Sequence, residues 1–135
     1  MNEHGFIKAI NRHVHPDIHT WKIHDSFCGG IPDSWYAGRN SKHLFVEYKY
    51  KRAFPARDST TISFGLSQLQ LNWLYEMYQR GIPTMLMVGV EKSVATFVGH
   101  ELPAIMKVAV TKSEFKKMAV DFKTAAAIIN SAVGF

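Results

Sequence analysis

A single cysteine, Cys28, leaves this chain of 135 residues without the means to form an internal disulfide, which suits a reducing compartment. A lone thiol can act as a nucleophile, but a small half-buried residue is its plainer role. Long apolar runs are missing as well. Nothing approaches the roughly eighteen consecutive apolar residues of a membrane span, and the opening MNEHGFIKAINRHVH is broken by charge and histidine where a signal peptide would be apolar. The expectation is a soluble, cytoplasmic protein. No repeat, low-complexity tract or linker divides the sequence, so residues 1–135 are expected to form one domain. With 47% hydrophobic residues, that domain can bury a core without disulfides or a structural metal.

Negative charge is the scarcer sign. Eleven Asp and Glu face sixteen Lys and Arg, a formal charge of +5 with a pI near 9.4, and such a field attracts polyanions. By itself this identifies nothing. It gains meaning only where the cations gather round a chemically competent site.

Phe6, Ile7 and Ile10 recur at helical spacing, predicting a first helix over residues 3 to 13 that Pro16 bounds. Alternation from Trp21 to Phe27 predicts a strand, Gly29-Gly30 a turn, Ile31 to Tyr36 a second strand, and Ala37 to Lys42 a hairpin loop. The segment HLFVEYKY, His43 to Tyr50, is the strongest strand pattern in the chain. After a polar, basic stretch, Leu71, Leu74, Tyr75 and Tyr78 mark a helix from Ser67 to Arg80, closed by Gly81 and Pro83. Thr84 to Val90 is a continuously apolar strand of the kind buried on both faces, with Val94 to Val98 as a partner. TKSE from Thr111 has capping-box spacing, and Phe115, Met118, Phe122 and Ile129 predict one final helix. A crossover helix between the third and fourth strands makes those two parallel. The fold class is α/β: a mixed sheet, built as a three-strand meander, a crossover helix and a parallel fourth strand, flanked by helices.

In HLFVEYKY, Glu47 and Lys49 leave the same face of the strand while Val46, Tyr48 and Tyr50 leave the other. Opposite charges on one face of a central strand are expensive to bury unless they are paired or bound to something. A hairpin through AGRNSK folds Asp33 back toward Glu47, so two carboxylates and a lysine converge. Such a pair suits Mg²⁺, which is commonly held by one or two carboxylates together with water and substrate phosphate. A lysine beside it can position the attacking water or stabilise developing negative charge. Phosphodiester hydrolysis is the reaction these parts fit.

Ile31-Pro32-Asp33 followed by Val46-Glu47-Tyr48-Lys49 resembles the bipartite signature of the PD-(D/E)XK nuclease superfamily. Leu66-Ser67-Gln68-Leu69-Gln70, with Trp73-Leu74 and Gly81, resembles more narrowly its VRR-NUC branch; phage junction resolvases and some freestanding homing endonucleases share the same core. The resemblance covers roughly residues 3 to 90. It implies a restriction-endonuclease-like core and a Mg²⁺- or Mn²⁺-dependent endonuclease acting on DNA, with Asp33, Glu47 and Lys49 catalytic and Gln70 supporting. The family often adds an acidic metal ligand from the first helix, and here only Glu3 is available.

Other residues divide between sharp and plain roles. Arg39, Lys42, Lys51, Arg52 and Arg57 are expected to flank the catalytic face and meet phosphates, the alternative being solvated loops. His13, His15 and His19 lack the spacing and the cysteine pair of a zinc site. His24 and Asp25 fall before the Gly-Gly turn, where a hairpin-end role outweighs a site role. Trp73, Tyr75, Met77, Met85 and Met87 read as core. Flaps, forks or junctions are the expected substrates, against site-specific cutting or a non-cleaving module of the same fold. A two-fold homodimer is the simplest way to cut two strands.

Overall fold

The computed structural model describes residues 1–24, 29–103 and 110–135; Asp25, Cys28 and the far half of the strand expected from Trp21 to Phe27 lie outside them. A mixed sheet of five strands runs in the order β1-β2-β3-β5-β6, with β1 His19–Lys22, β2 Ser34–Ala37, β3 His43–Lys51, β5 Thr84–Val90 and β6 Ser93–Val98. β3 and β5 are parallel from Phe45 opposite Thr84 to Lys51 opposite Val90, while the other neighbours are antiparallel. The crossover between them holds α2, Gln68–Gln79, as the apolar period requires. A separate two-stranded ladder joins β4, Thr61–Ile62, at the end of the polar, basic stretch, to β7, Val110–Thr111.

Alternation on β3 and β5 sorts the core into two layers. Val46, Tyr48, Met85 and Met87 pack against Phe6 and Ile10 of α1, Glu3–Asn11, and against Ala125, Ala126 and Ile129 of the last helix. Leu86 and Val88 face the other way, onto Leu74 of α2 and Phe115. The tyrosines of the first layer are satisfied where they are buried: Tyr36 and Tyr48 share a hydroxyl hydrogen bond of 2.5 Å, and the Tyr36 hydroxyl donates to Asn11 Oδ1 at 2.6 Å. That bond fixes α1 across the meander.

Three expectations need correction. The final helix is two helices, α3 Lys112–Met118 and α4 Phe122–Ala132. Between them Val120 adopts an extended bridge with Val94 of β6, and Asp121 caps α4 by accepting from the Thr124 N–H. A sheet contact and a new cap outweigh a continuous apolar period. β1 starts at His19 rather than Trp21, and all four of its residues are exposed; it is an edge strand with no buried face, so the alternation did not report burial. β2 begins at Ser34, which places Asp33 just outside the ladder.

The turn before Asp33 is set by Gly30. Its φ is +85°, and a Cβ there would stand 2.5 Å from the Leu69 carbonyl oxygen at the start of α2. Gly30→Ala should therefore cost about 2–4 kcal/mol in urea denaturation, combining left-handed strain with overpacking. A loss near the 0.5 kcal/mol of an ordinary surface change would show that the turn moves aside freely.

Candidate active site

Asp33 lies one residue before β2, where the register that sets Ser34 opposite Val46 brings it level with Glu47. Its backbone carbonyl accepts from the Ile23 N–H at 2.8 Å, and its Oδ2 accepts from the Tyr48 N–H at 2.8 Å. The side chain thus takes the place of a ladder partner that β2 no longer supplies. Glu47 is only 2% exposed. Lys49, half-buried beyond it on the same face, puts Nζ 3.8 Å from Glu47 Oε2.

Desolvation dominates the electrostatics here. Burial, then a hydrogen bond with Asp33 and the Asp33 charge, push the Glu47 carboxyl up to about 9, and the attraction of Lys49 does not offset them. Glu47 therefore holds a proton against Asp33 near neutral pH. Glu3, at the exposed start of α1, is also raised, by partial desolvation first and then by Asp33, while Lys49 and the Tyr50 backbone N–H oppose the shift. The structure brings Glu3 into the field of the pair. Among the described residues, however, no group of three or more His, Cys, Asp or Glu side chains is gathered closely enough to hold a metal. The donor set is the two-carboxylate pair, whose hard oxygens and uncompensated burial fit a small divalent cation.

Gln70 stands elsewhere in its helix's economy. Its Oε1 accepts from the Ser67 N–H at 2.9 Å and its own N–H donates to Ser67 Oγ at 3.1 Å, a capping box at the start of α2. The cations divide. Lys51 ends β3 next to the site, Arg52 is exposed beside it, and Arg57 is exposed on the loop that Lys112 ties down through Asp58 at 3.9 Å. Arg39 and Lys42 do not flank this face. They belong to the turn at the opposite end of β3, where the Arg39 N–H donates to Val133 and its guanidinium lies 3.9 Å over the Phe135 ring.

The histidines do not converge: His15 stacks on Phe135 at 4.3 Å, His19 lies edge-on to Trp35 at 6.1 Å, and His24 is exposed. An apolar cavity of about 330 Å³ opens at the far end of the sheet, lined by Leu44, Ile82, Met85 and Val98. Among the described residues that line it there is no carboxylate or amine, and it stands apart from Glu47 and Lys49. Trp21 and Trp35 carry no local signal in the sequence; the pairing of β1 with β2 and of β2 with β3 sets them on the face of the sheet that carries Glu47 and Lys49.

By sequence, no protein-family model and no curated protein matches the chain. By shape it is similar to Hjc, a Holliday junction resolvase from the archaeal hyperthermophile Archaeoglobus fulgidus, with a TM-score of 0.52 and 12% identity over 90% of this chain and 91% of that one. At such identity the likeness is one of fold. The mixed sheet with parallel β3 and β5, flanked by helices, is a restriction-endonuclease-like core.

The raised Glu47 carboxyl has a signed consequence for stability. Between its ordinary 4.5 and about 9 the folded protein binds a proton that the unfolded chain has released, so stability falls as pH rises through that window and the effect vanishes below it. In metal-free buffer the wild type should lose up to about 1.4 kcal/mol per pH unit relative to Glu47→Gln. Urea denaturation across that range tests this, and parallel curves for the two proteins would contradict it.

Proposed function

We propose that this chain is a Mg²⁺- or Mn²⁺-dependent endodeoxyribonuclease of the PD-(D/E)XK type, in its VRR-NUC or junction-resolvase-like branch, that hydrolyses phosphodiester bonds in branched DNA. The observation that carries the reading is the buried Glu47 in hydrogen-bond contact with the half-buried Asp33, with Lys49 alongside. Nothing in the packing of the sheet needs two carboxylates there, and burying them raises the energy of the charged state. Branched DNA is favoured because the fold is shared with a resolvase of Holliday junctions. A junction requires two cuts, which a homodimer of this chain would supply most simply.

Asp33 and Glu47 would hold the cation, with Glu3 near enough to bias the site electrostatically. When bound, the metal supplies stabilisation of charge on the scissile phosphate and acidifies the attacking water. The remaining work falls to the chain. Tyr48 N–H and Ile23 N–H fix Asp33 in place, so the site needs little reorganisation. Lys49 orients the water or offsets charge that develops in the transition state. Lys51, Arg52 and Arg57 meet the phosphates of the substrate backbone.

Nicking of supercoiled plasmid and cleavage of a four-way junction, each with and without Mg²⁺, test the assignment. Glu47→Gln should abolish cutting while leaving DNA affinity largely intact. Lys49→Met should slow single-turnover cleavage about a hundredfold, roughly 2.7 kcal/mol of barrier, with little effect on binding. A rate within a fewfold of wild type would remove Lys49 from the reacting centre. Neutralising Arg52 and Arg57 should weaken binding across all sequences and flatten its salt dependence; an unchanged slope would assign both residues to solvent.

A further inference from the structure

Trp21 of edge strand β1 lies opposite Trp35 of β2, and Trp35 opposite Phe45 of β3. Directly opposed residues share a face, and Phe45 shares its face with Glu47, Lys49 and Lys51. The rings form a continuous strip: Trp21 to Trp35 at 6.3 Å and 89°, Trp35 to Phe45 at 6.4 Å, and Phe45 to Trp73 of α2 at 5.1 Å. At the inner end α2 covers the strip. At the outer end no element of the described residues does, and Trp21 is 54% exposed.

The Trp35 indole is fixed, because its Nε1–H donates to His43 Nδ1 at 2.9 Å. That bond puts the ring proton of neutral His43 on Nε2, a further donor in the adjacent row of the same face. A tryptophan exposed at this level forfeits burial and stabilises the fold little. Its position relative to the carboxylates is what distinguishes it: Trp35 follows Asp33 by two residues, about 7 Å along the strand, or about two stacked nucleotides at roughly 3.4 Å each.

Resting on the nuclease reading of the neighbouring carboxylates, we infer that Trp21, backed by Trp35, is a stacking site for unpaired bases of a DNA strand whose scissile phosphate lies at Asp33 and Glu47. Charge arranges the occupant. Lys49 and Lys51 continue along β3 on the same face and attract the phosphates, while His19 and His43 lie in the next row on the other side of the rings. No carboxylate pairs with Lys51, His19 or His43 among the described residues. Bases inside an intact duplex have no free face to offer, so the site selects unpaired strands at a branch or overhang. A second copy of the chain is the rival occupant. Trp21 is the only large exposed apolar side chain of β1, whose other residues are His19, Thr20 and Lys22, whereas a stable interface buries about 800 Å² per partner.

The test is binding in Ca²⁺ of a dT oligonucleotide of about ten nucleotides and of a blunt hairpin duplex, read by anisotropy and tryptophan quenching. The wild type should show quenching by the single strand. Trp21→Ala should weaken single-strand binding about tenfold and duplex binding far less, and Trp21→Phe should restore most of the loss. Equal affinity of wild type and Trp21→Ala for the single strand overturns the inference, as does a shift from dimer to monomer in Trp21→Ala on sedimentation. The nuclease reading fails separately: quenching and single-strand binding without any metal-dependent cutting would sink that reading and leave the strip standing.

Discussion

Two carboxylates brought out of water at the end of a strand pair, with one lysine to offset them, set the terms for the rest of the molecule. An ionised pair at that depth is costly, so the metal-free protein keeps a proton between Asp33 and Glu47. Several local features follow from holding the pair in place. β2 begins only at Ser34, and the Asp33 side chain before it takes the Tyr48 N–H. Gly30 allows the preceding turn to press against the first turn of α2. The parallel pairing of β3 with β5 supplies Leu86 and Val88 beside Glu47 and Lys49, the apolar surroundings that keep water out.

The two ends of the sheet are correspondingly unlike. The end where β3 and β5 finish carries Glu47, Lys49 and Lys51, and the loop bearing Arg52 and Arg57 leaves from it. The other end is given to packing: the β2–β3 turn seats on Val133 and Phe135, and the α2–β5 connection lines an apolar cavity. In α/β sheets ligands collect at the carboxyl ends of the parallel strands, and the distribution of charge here agrees with that rule.

Much of this was legible because strand periodicity is a strong local signal. HLFVEYKY states its own faces, TMLMVGV states its burial, and the intervening helix forces the two to run parallel. The Asp33 and Glu47 meeting was legible too, since a hairpin through AGRNSK leaves little choice of register. What escaped were features decided by distant contacts. Phe115 to Ile129 keeps a helical period, yet Val120 is claimed by Val94 of β6. Arg39 and Lys42 look like phosphate ligands in composition, but the C-terminal segment occupies their turn. Trp21 reads as an ordinary strand residue until β1 is seen as an uncovered edge.

Under the proposed function, Asp33 and Glu47 hold either a proton or a divalent cation. Calorimetric titration of Mn²⁺ into the metal-free protein at neutral pH, repeated in buffers of different ionisation enthalpy, measures the protons released for each ion bound. About one proton per ion should be released by the wild type, carried by Glu47 with its carboxyl pushed up to about 9, and none by Glu47→Gln. Binding of Mn²⁺ by the wild type with no proton release would contradict it.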